Sequence, residues 1–194
     1  MKNDNLELII KNLKAFAFDV DGVLFPNEIW WSSDGTFMKR RSLYDGQGIS
    51  LLRAMGIQVA FITSAKGEVA KPIEDLVLKW NTLPSSKSEN NKNGWNHVRL
   101  YTMQNTLKKI ETLTRWLEEI NVPLEECGAM GDDLVDLPML RAVSFAVAPA
   151  QAEQTVKDAC HYITERSGGE GAVRDVVNYL LKILNIDPTT LPLQ

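Results

Sequence analysis

Four short apolar runs, three of which stop abruptly at a polar or acidic residue, constrain this chain more than any other feature. Ala15-Phe16-Ala17-Phe18 ends at Asp19, and Ile57-Gln58-Val59-Ala60-Phe61-Ile62 ends at Thr63-Ser64. Cys127-Gly128-Ala129-Met130 ends at Gly131-Asp132-Asp133, and Val143-Ser144-Phe145-Ala146-Val147 is the fourth. Short, nearly continuous apolar runs read as strands buried on both faces. Segments of helical character lie between and after them: Gly48–Met55, Glu68–Lys79, Thr106–Ile120, Gln151–Ala159 and Ala172–Leu184. In Thr106–Ile120 the residues Leu107, Ile110, Leu113, Trp116, Leu117 and Ile120 fall close to helical spacing. Strands alternating with helices predict an α/β fold, with a mostly parallel sheet between helical layers.

Two segments break this rhythm. Glu28–Leu43 carries Trp30-Trp31, then Ser33-Asp34-Gly35, then Phe37-Met38, the pattern of a β-hairpin inserted after the first strand over about 25–44. Pro84–Asn96, rich in Ser, Asn and Lys, predicts a flexible surface loop. The 194 residues suit one domain, expected over 1–187, with a loose tail from 188 to 194 after Asp187. Met1–Leu13 lacks a signal-peptide core, and no apolar run is long enough to cross a bilayer. A net charge of −4 without a block of like charges argues against nucleic-acid and polybasic membrane roles. Cys127 and Cys160 make neither a metal spacing nor a disulfide framework, and read as buried thiols of a cytoplasmic protein.

The chemistry sits at the strand ends. In an open parallel sheet all carboxyl ends share one edge, where ligands bind. Asp19, Asp21, Thr63, Asp132 and Asp133 therefore converge on that edge. Carboxylates gathered there repel one another unless a cation lies among them, and oxygen donors suit Mg²⁺. Gly22 lets the chain turn after Asp21, so that Asp19 and Asp21 face one site in different roles. One touches metal and attacks, and the other moves a proton. The plainer alternative makes these residues turn formers and Asp132-Asp133 a helix cap. Two such motifs, each following an apolar strand, weigh against it.

These residues also carry a resemblance. Asp19-Val20-Asp21-Gly22-Val23-Leu24, Thr63 after Phe61-Ile62, and Gly131-Asp132-Asp133-Leu134-Val135-Asp136-Leu137-Pro138 resemble three motifs of the haloacid dehalogenase superfamily. The remaining motif is a lysine near a helix start, for which Lys108 and Lys109 both qualify, with Lys109 in the family's register. Tyr44-Asp45-Gly46-Gln47-Gly48-Ile49 and Gly168-Gly169-Glu170-Gly171-Ala172-Val173-Arg174 resemble segments of its small cap-less branch. That branch holds 3-deoxy-manno-octulosonate 8-phosphate phosphatase and phosphatases of nine-carbon, sialic-type sugar acids. The resemblance implies a Rossmann-like three-layer sandwich and hydrolysis of a phosphorylated sugar acid through an aspartyl-phosphate on Asp19. It implies Asp21 as acid and base, Thr63 and Lys109 on the phosphoryl oxygens, and Mg²⁺ on Asp19, the Asp21 carbonyl and Asp132. Ser64, Gly168 and Gly169 join Thr63 and Lys109 in holding substrate, while Asp133 and Asp136 support the metal from behind. A homotetramer built through the hairpins is implied as well, with Trp30, Trp31, Phe37 and Met38 in the contact. Where octulosonate enzymes carry arginine this chain has Tyr44, Ala65 and Glu170, which leaves both sugar-acid branches open. The alternatives are a phosphatase for another small metabolite and a non-catalytic tetramerisation module of the same fold.

Overall fold

The structure of the protein, a computed structural model, describes residues 2–191. Helix α1 (Lys2–Lys11) precedes β1 (Ala15–Phe18), and a hairpin of β2 (Trp30–Trp31) and β3 (Phe37–Met38) follows. Then come α2 (Leu43–Ala54), β4 (Gln58–Ile62), α3 (Lys71–Asn81), β5 (Arg99–Tyr101), α4 (Thr106–Glu119) and β6 (Cys127–Met130). The chain ends with α5 (Leu137–Ala142), β7 (Phe145–Ala148), α6 (Gln154–Asp158), β8 (Tyr162–Ile163) and α7 (Ala172–Leu184). Six strands form one parallel sheet in the order β5-β4-β1-β6-β7-β8. This is the expected α/β sandwich with its hairpin.

The period of two along β1 divides the core. Phe16 and Phe18 join Val59, Phe61, Phe145 and Val147, packed with Ile10 of α1, Ile49 and Leu52 of α2, and Val173, Val176 and Leu180 of α7. Ala15 and Ala17 lie on the other face with Ala60, Ala129, Ala146 and Ala148. There the small side chains leave room for Leu113, Trp116 and Leu117 of α4, Met139 and Leu140 of α5, and Val156 of α6. Both faces of β1 are fully buried, so its sequence does not alternate. Register then sets the site: Phe18 pairs with Phe61 on one side and Met130 on the other. Asp19, Thr63 and Asp132 consequently leave three adjacent strands at nearly one level.

Several boundaries differ from the sequence reading. Helix α2 starts at Leu43 rather than Gly48, capped by the Ser42 hydroxyl, which accepts from the Tyr44 N–H at 3.2 Å. Gly46 and Gly48 weaken the helical signal of that turn. At Gly48 the missing side chain lets α7 come near, since a Cβ would lie 3.3 Å from Arg174 Cα. Strands β5 and β8 escape the apolar pattern because they are short, half-exposed edges. Helices α1 and α5 are also additions to the sequence reading. Cys127 is buried and Cys160 is only partly so, and both are free.

The hairpin turns at Asp34-Gly35, with Gly35 at φ +86° and the Ser32 N–H donating to Thr36 O at 2.9 Å. Trp31 and Met38 are each 65% exposed. In the 84–96 segment a bridge joins Ser86 to Trp95, and the buried Arg53 guanidinium donates to Ser86 Oγ, Trp80 O and Asn96 O at 2.8, 3.0 and 3.0 Å. Pro188–Thr190 forms a short 3-10 turn capped by Asp187, and residues 192–194 of the expected tail lie outside the described residues. Among the described residues, no helix is long and apolar enough to cross a membrane.

Candidate active site

Asp19 continues the line of β1, its N–H donating to Met130 O at 2.9 Å, and it is only 6% exposed. The chain then tightens: the Leu24 and Phe25 N–H groups both donate to Val20 O, and the Gly22 N–H to Phe25 O at 2.8 Å. Gly22 has φ +84°, and a Cβ there would overlap the Asp132 carboxylate. Glycine is therefore required twice over, by conformation and by space. Asp21, before this turn, keeps its carboxyl partly exposed.

From β4, Thr63 is buried at the same edge and held through its backbone, its N–H donating to Tyr101 O and its carbonyl accepting from Gln104 N–H. Its Oγ1 accepts from Ala65 N–H at 3.1 Å. The Ser64 hydroxyl is exposed and donates to Gln104 O at 2.7 Å. From β6, Asp132 is buried and Asp133 exposed. Asp133 caps the following turn, accepting from Leu134 N–H at 2.6 Å. Asp136 has no exposed surface, and its Oδ2 accepts from the Asp132 and Asp133 N–H groups at 3.1 and 3.3 Å.

Helix α4 supplies the cation. Asn105 caps it, accepting from Lys108 N–H at 3.1 Å, and this starting point sets the helical phase. Lys108 falls on the exposed side, whereas Lys109 is 1% exposed. The Lys109 Nζ donates to Asp19 Oδ1 at 2.8 Å and to Asp136 Oδ1 at 2.6 Å.

Asp19, Asp132 and Asp136 each present an oxygen within 4.8 Å of the others. Three buried carboxylates thus face one buried ammonium, leaving the cluster short of positive charge. Burial, then the Asp136 charge, pushes the Asp19 carboxyl well above its usual range. Burial, then Asp136 and Asp133, pushes Asp132 up to about 7. For Lys109 burial acts downward, but Asp19 and Asp136 together outweigh it and hold the ammonium above its ordinary value. An all-oxygen donor set lacking charge is what a hard divalent cation complements.

This has a measurable consequence. Carboxyls whose pKa is raised on folding keep protons that the unfolded chain sheds near pH 3.8. Between about pH 4 and 8 the unfolded chain then binds fewer protons, so stability falls as pH rises. In chelator, the melting temperature is expected to drop by a few degrees from pH 5 to pH 8, as this window implies. A divalent cation, which favours the ionised carboxylates, should flatten or reverse that slope. A cation-independent profile in a melting scan would count against a metal site here.

The glycine-rich segment closes one side. Gly168 and Gly169 are buried against the 22–26 turn, and Gly169, at φ +70°, donates its N–H to Val23 O at 2.9 Å. Gln151 links the two, donating to Gly22 O at 2.7 Å and accepting from Gly168 N–H at 2.8 Å. Asp45 accepts from the Gly171 and Arg174 N–H groups, and burial pushes it up to about 6. Gln151 and Lys39, whose ammonium meets the Asp21 carboxylate, are contacts that the sequence reading did not single out. No spacing rule marks either, since each reaches the turn from a distant element. A cleft of about 220 Å³ lies against the hairpin, lined by Pro26, Glu28, Trp30, Met38, Lys39 and Arg40.

Residues 1–176 match the family of haloacid dehalogenase-like hydrolases. The chain is 33% identical over 171 residues to the 3-deoxy-D-manno-octulosonate 8-phosphate phosphatase of Salmonella typhi, covering 88% of this chain and 80% of that one. Among solved structures it resembles the same phosphatase from Moraxella catarrhalis, in complex with magnesium ion, phosphate ion and a KDO molecule, with TM-score 0.79 and 27% identity. That match covers 95% of this chain and 94% of the other. It also resembles the cobalt-bound form of the deoxy-D-mannose-octulosonate 8-phosphate phosphatase from Haemophilus influenzae, with TM-score 0.71, 26% identity, and 91% and 92% of the two chains covered.

Proposed function

Because the chain belongs to the haloacid dehalogenase-like hydrolase family, we propose that it is a Mg²⁺-dependent phosphatase of a phosphorylated 2-keto-3-deoxy sugar acid. The observation that carries this reading is the buried Asp19 carboxylate at the end of the central strand, gripped on one oxygen by Lys109.

Asp19 is the nucleophile. Lys109 occupies its Oδ1 and leaves Oδ2 to attack phosphorus, forming an aspartyl-phosphate as the bond to the sugar oxygen breaks. Asp21 protonates that departing oxygen, and its carboxylate then takes a proton from the water that cleaves the acyl phosphate. The Thr63 hydroxyl and the Lys109 ammonium hold the phosphoryl oxygens, over which charge spreads during transfer. Asp136 keeps Lys109 and the backbone of Asp132 in place. The Asp19 carboxylate, the Asp21 backbone carbonyl and Asp132 would hold Mg²⁺. Once bound, the metal lowers the repulsion between the anionic nucleophile and the anionic phosphate.

The relatives named above support an octulosonate 8-phosphate as substrate, and a sialic-type 9-phosphate is the nearest alternative. Glu170 is engaged with Arg40 at 2.7 Å, so this position contributes a neutralised pair rather than a free cation. Gly168 and Gly169 border the substrate side of the turn. The exposed Trp30, Trp31 and Met38 support a homotetramer joined through the hairpins. The test is phosphate release from a panel of phosphorylated sugar acids, with Mg²⁺ and with excess chelator. Release from one acid that chelator abolishes is expected. Hydrolysis unaffected by chelator, or none from any phosphomonoester, would overturn the reading.

A further inference from the structure

We propose that Lys39, on the inserted hairpin, is the positioning residue for Asp21, so that proton delivery to the leaving group depends on the hairpin. This rests on Asp21 as the proton donor and names what aims it. The hairpin is otherwise turned to water, with Trp30, Trp31 and Met38 all largely exposed. Lys39, immediately after β3, does the opposite: its side chain is 1% exposed, and its ammonium meets Asp21 Oδ1 and lies 5.4 Å from the centre of the Phe25 ring. A buried ammonium needs a carboxylate and an aromatic face of this kind to offset lost hydration.

For Asp21 the pairing has a chemical use. Among the described residues, Lys39 is the polar side chain in contact with its carboxylate. Left alone, a carboxylate on this turn would swing away from the negative cluster of Asp19, Asp132 and Asp136. Lys39 takes Oδ1, which leaves Oδ2 for the proton transfer. Oδ1 accepts from the ammonium whether or not Oδ2 carries a proton, so the grip lasts through both halves of the reaction. The hairpin base has separate anchors in the Arg40–Glu170 pair at 2.7 Å and the packing of Gly169 on Pro26. Loss of the Lys39 ammonium should therefore disturb Asp21 rather than unseat the hairpin.

The test uses two phosphomonoesters that differ in their need for a proton: 4-nitrophenyl phosphate, whose phenolate leaves unaided, and octulosonate 8-phosphate, whose alkoxide does not. With the full-length protein in excess over ester and Mg²⁺ present, Lys39→Met should lower the first-turnover rate of sugar-acid release from the alkyl ester on the order of 10–100-fold, as expected for lost general-acid catalysis. On the aryl ester the first-turnover release of nitrophenolate should fall less than about 3-fold, since that departure needs no proton, while the later water step that uses Asp21 as base is common to both esters and lies outside this readout. Lys39→Arg, which keeps the charge, should recover part of the difference. Equal losses of first-turnover release on both esters, or weaker ester binding with an unchanged release rate, would overturn the proposal. Asp21→Asn run alongside separates the two levels. If it shows the split and Lys39→Met does not, only the role of Lys39 falls. If Asp21→Asn shows no split, or the unaltered protein hydrolyses neither ester, the reading of Asp21 falls and the proposal with it.

Discussion

Asp19→Asn is expected to cut phosphate release by roughly 10³-fold or more, the scale on which loss of a covalent nucleophile is felt. The amide matches the carboxylate in shape but does not attack phosphorus. Its effect on folding should be small or favourable. Asp19 is one of three buried carboxylates served by a single buried lysine, and burial already pushes it toward its neutral form. Replacing it removes repulsion from Asp132 and Asp136 while leaving Lys109 paired with Asp136 at 2.6 Å. The decisive comparison is turnover against the melting temperature in chelator. An inactive variant that melts at or above the parent temperature fits the assignment. A folded variant with retained turnover removes Asp19 from the mechanism.

Lys109→Met should be damaging in a different way, because it strikes stability as well as chemistry. Methionine fills the volume of the aliphatic stem but leaves Asp19 and Asp136 buried without their shared cation. Stranding one side of a buried ion pair costs about 3–5 kcal/mol. For a domain of this size that is a fall of roughly 6–20 °C in melting temperature. The loss should be largest in chelator and smaller with Mg²⁺, which would take over part of the compensation. Turnover should also drop on the order of 10²–10³-fold, since a preorganised charge on the phosphoryl oxygens is gone. An unchanged melting temperature in chelator would mean that Lys109 does not hold the acidic cluster together.

These two variants probe residues that differ in how legible they are in the sequence. Asp19 announces itself, because a run buried on both faces cannot continue past an aspartate without a reason. Lys109 does not, because Lys108 beside it is equally polar and equally near the helix start. The choice between them depends on where α4 begins, which the Asn105 cap sets. Asp136 is similar. Its place in a turn after Asp132 is readable, but its complete burial and its three donors are not. Lys39 lies further still from any local signal, since it comes from a hairpin that packs mostly on solvent. The edge strands β5 and β8 are missed for a related reason, being too short and too exposed to leave an apolar pattern.

The sequence by itself determined the layered parallel architecture, the order of the central strands' chemistry and the acidic character of the edge. All of these follow from local periodicity and from which residues interrupt buried strands. Tertiary structure alone decided which lysine meets the carboxylates, that Asp136 is buried behind them, and that the hairpin sends Lys39 to Asp21. Those outcomes depend on register across strands and on helix phase. Both arise from packing between segments distant in the chain, where no local pattern records which side chains will meet.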